Sequence, residues 1–302
     1  MIPIGTHSLS ISITGPVRPP NTEADTDPLV VIIPGAGDVA ASYVAVERLL
    51  RPFTRTLLYD RSGLGKSEKG PERPNAVRAA KELYTLLQAC RLNSSRLLLV
   101  GHSYGGIVAR EFLHLHPGIV GGMVLVDAAT ERTSEFFSVP DSNIAAVMGE
   151  LNYATVTGLR GDSVLSAEEW RSRAKEIYAG QEAARGEASV FVEVCETLKQ
   201  KAQVQGQALG EKPLSVIRAN SARDYERIYA RGVEAGNGDE AQRGAFRELL
   251  DRWEGIDREL QEELLGLSST THFVRIVDCG HNVHLVRPDV IVEEVRWVRD
   301  RM

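Results

Sequence analysis

The sequence predicts an α/β fold in which a mostly parallel central sheet is covered by helices on both faces. Three observations support this prediction: short apolar runs rich in β-branched residues alternate with helical patterns, the loops between them are short, and glycine or proline marks several element ends. The chain has 302 residues, of which 43% are hydrophobic and 25% are charged, as expected for one globular domain with an insertion.

The predicted strands and helices alternate along most of the chain. Residues 8–14 alternate polar and apolar side chains, as a half-buried strand does, and the proline-rich, acidic segment 16–27 predicts an exposed loop. Continuous apolar runs predict buried parallel strands, and apolar residues at helical spacing predict the helices between them. We place these strands at 29–33, 56–59, 96–100, 122–127, 214–217 and 273–277, and helices at 43–50, 77–92, 107–113 and 290–298.

The alternation stops after Asp127. Residues 141–212 contain no proline, and Ser166 to Glu169 has the form of a capping box that opens a helix toward Tyr178. We therefore predict a helical cap inserted at 130–212 and a core formed by 1–129 and 213–302. Apolar residues between 246 and 264 also predict an amphipathic helix or helix pair within the core.

A short glycine-flanked segment carries the strongest chemical signal. Gly101-His102-Ser103-Tyr104-Gly105 follows the apolar run at 96–100 and precedes a helical pattern. A strand, a tight turn with serine at its tip and a helix together form a nucleophile elbow. Such a turn leaves no room for side chains beside the serine, and amides at the helix start point toward developing negative charge.

Several motifs in this order resemble the α/β-hydrolase superfamily, specifically a serine esterase-like branch with a helical cap. The resemblance covers nearly the whole chain outside the insertion and implies an α/β-hydrolase fold. The motifs besides the elbow are Pro34-Gly35-Ala36-Gly37, the segment from Tyr59 to Ser67, Val124 to Asp127, and Gly280-His281 ahead of Arg287-Pro288-Asp289.

Serine needs a base to take its proton, and the base needs a carboxylate to orient it. For the base we favour His281, which follows the last strand and matches the Gly-His position of the superfamily; His284 is the alternative. For the acid we favour Asp127, which ends a strand beside the elbow strand. Asp224 is the alternative acid, since the Gly-x-x-Asp turn that many relatives carry after the strand at 214–217 is absent.

The resemblance also implies an oxyanion hole. Its expected donors are the backbone N–H groups of Tyr104, directly after the nucleophile, and of Ala36, in the turn after the first central strand. No cofactor is implied, and no clustered metal ligands are visible in the sequence.

Charge and cysteine content indicate the setting of the protein. The net charge of −6 argues against nucleic acids and membranes as partners and leaves a small-molecule substrate. Cys90, Cys195 and Cys279 show neither disulfide nor zinc spacing, and the first residues do not have the pattern of a signal peptide. These features predict a reducing, cytoplasmic compartment.

We therefore expect a cofactor-independent serine hydrolase that cleaves a carboxylic ester, thioester or lactone through an acyl-enzyme. Tyr153, Trp170 and Phe191 of the insertion suggest a small, apolar substrate and a pocket in the cap. C–C bond hydrolysis, acyl transfer and perhydrolysis remain alternatives, as does a ligand receptor without catalysis. A serine at the elbow disfavours the halide- and epoxide-opening branches that resemble this chain, since those use an aspartate nucleophile.

Overall fold

A seven-stranded sheet forms the centre of the computed structural model, which describes residues 1–16, 27–93 and 95–302. The strands in these residues are β1 (Ile2–Pro3), β2 (Ser8–Leu9), β3 (Ile11–Thr14), β4 (Leu29–Ile33), β5 (Arg55–Tyr59), β6 (Leu97–His102), β7 (Val120–Val126), β8 (Leu214–Arg218) and β9 (Thr271–Arg275). The large sheet has the order β3-β5-β4-β6-β7-β8-β9. Only β3 is antiparallel to its neighbour, so the prediction of a mostly parallel sheet is confirmed.

Helices cover both faces of this sheet. Side chains alternate along β4: Leu29, Val31 and Ile33 belong to one apolar cluster, and Val30 and Ile32 to the other. The first cluster is completed by α2 (Ala76–Ala89) and α3 (Tyr104–Leu115), and the second by α1 (Val44–Leu50) and α14 (Pro288–Arg299). The sheet is therefore buried on both sides, which explains why its central strands are continuously apolar.

Seven helices lie between β7 and β8, all within described residues. They are α4 (Thr133–Phe136), α5 (Ser142–Met148), α6 (Tyr153–Val156), α7 (Leu159–Asp162), α8 (Ala167–Ala179), α9 (Gln181–Ser189) and α10 (Phe191–Lys199). The capping box of α8 is present, with the Ser166 side chain and the Glu169 side chain each accepting from the other's backbone N–H.

Three further α-helices follow β8 before α14. They are α11 (Ser221–Glu234), α12 (Glu240–Glu263) and α13 (Val283–Val286). The predicted amphipathic pattern at 246–264 belongs to the single helix α12, which starts at a capping box formed by Asp239 and Gln242. α11 and α12 pack against α5, so helices that follow β8 contact the helices between β7 and β8, the segment predicted as the insertion.

Two sequence predictions need correction or lie outside the described chain. The last strand covers 271–275 rather than 273–277, because its pairing with β8 ends at the Arg218–Arg275 pair and Val277 is exposed. Most of the predicted loop at 16–27 falls outside the described residues. Within the described residues, no helix combines the length and apolarity that crossing a bilayer would require.

Candidate active site

Ser103 occupies the tight turn between β6 and α3. Its backbone has φ 53° and ψ −124°, a conformation that costs a residue with a side chain roughly 1–3 kcal/mol. A Cβ on Gly101 would lie 2.7 Å from the carbonyl oxygen of Gly105, and a Cβ on Gly105 would lie 2.1 Å from that of Ile33. Space alone therefore requires both glycines, and the strained turn presents Ser103 at the carboxyl edge of the sheet.

His281 and Asp127 are in contact although 154 residues separate them. His281 lies in the loop between β9 and α13, and its Nδ1 is 2.6 Å from Asp127 Oδ2. Asp127 directly follows β7 and has a positive φ of 42°. It also accepts hydrogen bonds from the N–H of Ala219 at 2.9 Å and the hydroxyl of Ser221 at 2.5 Å. The turn after β8, where the sequence lacks an acid, thus supplies donors to an acid on the neighbouring strand.

The two partners shift each other's protonation. Burial disfavours the charged form of Asp127, but the hydrogen bonds it accepts, first of all from His281, outweigh burial and lower its pKa. Burial likewise disfavours the imidazolium of His281, but Asp127 outweighs that effect and raises the pKa of His281. An ionised acceptor on Nδ1 leaves Nε2 of His281 for proton transfer.

Asp224, the alternative acid, packs against the backbone directly before His281. A Cβ on Gly280 would lie 2.1 Å from Asp224 Oδ2. Its Oδ2 accepts a hydrogen bond from the Tyr153 hydroxyl at 3.1 Å, and burial raises the pKa of Asp224. The structure therefore places Asp127, and not Asp224, on the His281 ring.

Arg61 holds the turn that contains Ala36, the second predicted oxyanion donor. The turn follows β4, and the buried guanidinium of Arg61 donates to the carbonyl oxygens of Pro34 at 2.6 Å and Gly35 at 2.7 Å. The two carbonyls directly before Ala36 are thus fixed, and with them the peptide plane that carries its N–H.

Glu187 of α9 completes this support from the insertion. Its carboxylate accepts from Arg61 at 2.6 and 2.9 Å and from the backbone N–H of Gly37 at 2.8 Å. Gly37 has φ +64°, and a Cβ there would lie 2.7 Å from the Cβ of Ala184, so α9 packs closely on the turn. The residues on both sides of Ala36 are therefore hydrogen-bonded to one buried ion pair.

A cavity of about 220 Å³ brings the predicted site residues together. Ser103, Asp127, His281, Ala36 and Tyr104 all line it. Most of the remaining wall is apolar and comes from the insertion and from α11 and α12, including Phe137, Ile144, Phe191, Tyr225, Leu249 and Trp253. The pocket is therefore shared between the insertion and α11 and α12, which is more than the sequence predicted.

Of the three predicted pocket residues, only Phe191 is part of this lining. The structure places Trp170 elsewhere: its ring lies beneath the guanidinium groups of Arg160 and Arg173, which are 5.0 and 5.2 Å from the ring centroid. Tyr153 is occupied by its hydrogen bond to Asp224. Both aromatic rings pack the insertion against the core rather than facing the cavity.

A second group of titratable side chains supports the His281 loop. Asp38, His102 and His284 carry potential metal-ligating atoms within 4.8 Å of one another, a cluster that the sequence did not suggest. His102 Nδ1 lies 2.9 Å from the Tyr43 hydroxyl, and His102 Nε2 lies 2.9 Å from the carbonyl oxygen of His281. Burial lowers the pKa of both histidines. Because both ring nitrogens of His102 hold protein partners, the residues fit a hydrogen-bonded support better than a metal site.

Besides several apolar lining residues, the sequence analysis did not assign four polar residues to this site. Ser221 supports the acid, Glu187 supports the oxyanion turn, and Asp257 and Gln261 line the cavity from α12. Only the last two carried a usable signal, because they continue the helical face that begins with the apolar residues of α12.

Comparison with known proteins agrees with this architecture. An AB hydrolase superfamily protein of Gibberella zeae is 29% identical over 97% of this chain and 91% of its own length. A protein of Hormonema carpetanum, named "Probable transporter efuK", is 31% identical over 99% of this chain, which spans only 42% of that relative's length.

Solved structures share the fold at low sequence identity. Cfl2 from Burkholderia cenocepacia has a TM-score of 0.65 and 18% identity, covering 97% of this chain and 92% of its own. A thermophilic esterase from Thermogutta terrifontis has a TM-score of 0.57 and 17% identity, covering 97% of this chain and 94% of its own. The model of the alpha/beta hydrolase family matches residues 30–294, and the chain therefore belongs to that family.

Proposed function

We propose that the protein is a cofactor-independent serine hydrolase that cleaves a carboxylic ester, thioester or lactone. The observation that carries this proposal is the meeting of a strained elbow serine, Ser103, with the His281–Asp127 pair in one cavity. A serine, a base with its orienting carboxylate and main-chain donors are the parts that acyl transfer to water requires.

In the proposed reaction Ser103 Oγ attacks the substrate carbonyl while His281 Nε2 takes the serine proton. The N–H groups of Ala36 and Tyr104 stabilise the resulting oxyanion. The C–O or C–S bond then breaks, and His281 returns the proton to the departing alcohol or thiol. Water, activated by His281, hydrolyses the acyl-enzyme and regenerates Ser103, while Asp127 stabilises the imidazolium in both halves.

The cavity wall supports a neutral, largely apolar substrate. Four carboxylates line it, from Asp127, Asp141, Glu187 and Asp257, and no lysine or arginine does among the described residues. Glu187 is ion-paired with Arg61 and Asp257 with Arg218, so these two cations are already paired and neither is left to bind a negatively charged substrate. The aromatic and aliphatic side chains beside them favour an apolar acyl or alcohol group.

A matched panel of short neutral esters, thioesters and lactones tests this function. We expect turnover in at least one class, an acyl-enzyme on Ser103 detectable by mass after rapid quenching, and no turnover by Ser103→Ala. Products of C–C cleavage, transfer to an added alcohol or peroxide, or binding without turnover would instead support one of the alternatives.

As part of the same proposal, the free Cys90, Cys195 and Cys279 fit a reducing compartment such as the cytoplasm.

A further inference from the structure

A chain of hydrogen bonds connects the turn at 34–37 with the loop that carries the base. The backbone N–H of Gly35 lies 3.2 Å from the Tyr43 hydroxyl oxygen, and that oxygen lies 2.9 Å from His102 Nδ1. His102 Nε2 in turn lies 2.9 Å from the carbonyl oxygen of His281. The Tyr43 and His102 side chains are buried, so the chain is shielded from bulk water.

The direction of each bond in this chain follows from the acceptor at one end. The carbonyl oxygen of His281 can only accept, so His102 Nε2 carries a proton. Burial and the neighbouring His284 lower the pKa of His102 well below its ordinary value, so the ring is neutral and Nδ1 is unprotonated. Nδ1 therefore accepts from the Tyr43 hydroxyl, whose oxygen accepts from the Gly35 N–H. A single arrangement of protons satisfies the whole chain.

The first end of the chain holds the residue directly before Ala36. The N–H of Gly35 donates to Tyr43, and the carbonyl oxygen of Gly35 accepts from Arg61 at 2.7 Å. Both polar groups of the Gly35 main chain are therefore bonded to buried side chains. The orientation of the following peptide, which carries the Ala36 N–H, depends on both contacts.

The other end of the chain holds the base by its main chain. The ring of His281 is bonded to Asp127, whereas its carbonyl oxygen accepts from His102. The two contacts thus act on different parts of the same residue. His102 also directly precedes Ser103, so one side chain connects the base to the strand end that presents the nucleophile.

Neighbouring side chains hold Tyr43 in the chain. Its ring stacks on that of His284, with centroids 4.3 Å apart and planes 15° from parallel. His284 Nε2 lies 3.3 Å from Asp38 Oδ2, and Asp38 also accepts from the Ser42 hydroxyl. Arg173 of α8 donates to that hydroxyl oxygen at 2.9 Å. The Tyr43 ring is therefore fixed by contacts that extend from the core to the insertion.

We propose that Tyr43 and His102 are positioning residues that fix the oxyanion turn and the base relative to each other through this hydrogen-bond chain. This inference rests on the proposed function and deepens it by assigning the residues that hold its two halves in register. Such support matters because a misplacement of about 1 Å at a catalytic group can cost roughly 10²-fold in rate.

The proton arrangement is tested first, and this test needs no substrate. Two-bond ¹H–¹⁵N correlation spectra of the protein labelled with ¹⁵N-histidine distinguish protonated from unprotonated ring nitrogens. The signals that disappear in His102→Gln identify His102. We expect a neutral ring with its proton on Nε2 from about pH 5 to 8. A proton on Nδ1, or an imidazolium in this range, would overturn the chain.

Two substitutions break the chain at different ends. Tyr43→Phe keeps the aromatic ring but removes the link to Gly35. We expect kcat to fall roughly tenfold, a part of the cost of losing an oxyanion donor, with KM and the acid limb of kcat/KM near their wild-type values. His102→Leu removes the donor to the base. We expect kcat to fall by roughly 10²-fold and the acid limb to move down toward pH 6.5, because His281 is held less firmly against Asp127.

His102→Gln is the conservative variant that tests rescue. Its amide N–H groups can donate to the carbonyl oxygen of His281, which a leucine cannot do. We expect kcat and the acid limb of this variant to lie closer to the wild type than those of His102→Leu. Equal losses in the two variants would overturn the role of the donor. If His102→Leu folds poorly, Tyr43→Phe and His102→Gln still test the chain.

Gln203→Leu is the matched control. Gln203 is also a buried side chain that uses both a donor and an acceptor, which are bonded to Arg110, and it is not part of the cavity lining. Its substitution should lower stability and leave kcat and the acid limb as in the wild type. If kcat and the acid limb changed equally in Gln203→Leu and His102→Leu, the effect would come from a general loosening of the fold and the chain would be overturned.

The titration of His281 in the same spectra separates this inference from the proposed function. The carboxylates whose charges act on His281 are Asp127, Asp224 and Asp257, and all three remain in His102→Leu. We expect the pKa of His281 to fall in that variant and to stay unchanged in Gln203→Leu. This result supports the chain even if no ester is hydrolysed, in which case the proposed function alone fails. An unchanged His281 pKa in folded His102→Leu would overturn the chain while leaving ester hydrolysis intact.

Discussion

Arg61 and Glu187 form a buried ion pair that joins the core to the insertion. Their nitrogen and oxygen atoms lie 2.6 and 2.9 Å apart, and their side chains are 3% and 4% exposed. Burial opposes the charge of Arg61, but Glu187 outweighs burial and raises the pKa of the guanidinium. Because both residues also bond to the turn at 34–37, the position of the Ala36 N–H depends on this contact.

Substituting Arg61 and Glu187 singly and together should affect the free energy of unfolding and kcat differently. We expect Arg61→Met and Glu187→Leu each to lower the free energy of unfolding by about 3–5 kcal/mol, because each leaves a buried charge unpaired. The double variant should regain most of that stability, since no unpaired charge remains. Its kcat should nevertheless stay roughly 10²-fold below that of the wild type, because the turn carrying an oxyanion donor has lost its support. Urea unfolding and steady-state kinetics on the same preparations measure both effects.

Arg110 and Glu131 provide the control for that experiment. They form a buried ion pair that is not part of the cavity lining among the described residues. Arg110→Met/Glu131→Leu should reproduce the changes in stability but keep kcat near the wild-type value. If kcat of the Arg61→Met/Glu187→Leu variant recovers together with its stability, the Arg61–Glu187 pair supports only the fold.

The choice of acid leads to a second prediction. Asp127→Asn should fold and lose roughly 10⁴-fold in kcat, because the amide cannot hold the imidazole in the required tautomer or stabilise its charge. Asp224→Asn should be much milder, since Asp224 bonds to Tyr153 and not to the His281 ring. Circular dichroism confirms folding and kcat decides. Near-normal turnover by Asp127→Asn beside an inactive Asp224→Asn would reverse the assignment.

The electrostatics of His281 predict the pH dependence. The base must be neutral to accept a proton, and Asp127 raises its pKa above the ordinary value of 6.5, so the acid limb of kcat/KM should lie above pH 6.5. By the same linkage, the stability contributed by the charged pair is present below pH 6.5 and is lost as the pH rises through the raised pKa. In Asp127→Asn the limb should move to lower pH, since burial remains and the carboxylate is gone. A wild-type limb below pH 6.5 would contradict this description of the pair.

Substrate selectivity should respond to Phe191 and not to Trp170. Phe191→Ala enlarges the cavity wall, so relative kcat/KM between short and long acyl esters should change by about 1–3 kcal/mol. Trp170→Ala removes a ring that lies outside the cavity lining, so it should lower stability and leave the relative kcat/KM values of short and long esters as in the wild type. Chain-length profiles of both variants with p-nitrophenyl esters test this difference. If the relative kcat/KM values changed in Trp170→Ala and not in Phe191→Ala, the substrate pocket would lie at Trp170, as the sequence predicts.

The fold could be predicted because its signals are local. The strand predicted at 29–33 is β4 with the same bounds, since a strand buried on both faces must be apolar at each position. The capping box of α8 was visible for the same reason: both partners lie within one turn. The predicted range of the last strand is two residues too late, because the end of this strand depends on its pairing with β8, which a local sequence pattern does not contain.

The site was predictable only in part. Ser103, Asp127 and His281 could be grouped because parallel strands end at one edge of a sheet, and the structure brings them to one cavity. Glu187 was not identified, because a glutamate in a polar helix has the same sequence appearance whether it faces solvent or Arg61. The sequence predicts Trp170 in the pocket but cannot give the direction in which its ring packs, because only the tertiary contacts decide whether an aromatic residue of an insertion faces the cavity or the core.

The most direct test of the central claim is the labelling of the intact protein with a fluorophosphonate, followed by mass measurement and mapping of the modified residue. If Ser103 is the nucleophile and His281 with Asp127 activates it, one label should attach at Ser103. Folded Ser103→Ala should remain unlabelled and lose roughly 10⁶-fold in kcat. An unlabelled, folded wild-type protein, or a Ser103→Ala variant that keeps turning over substrate, would contradict the assignment of Ser103 as the nucleophile.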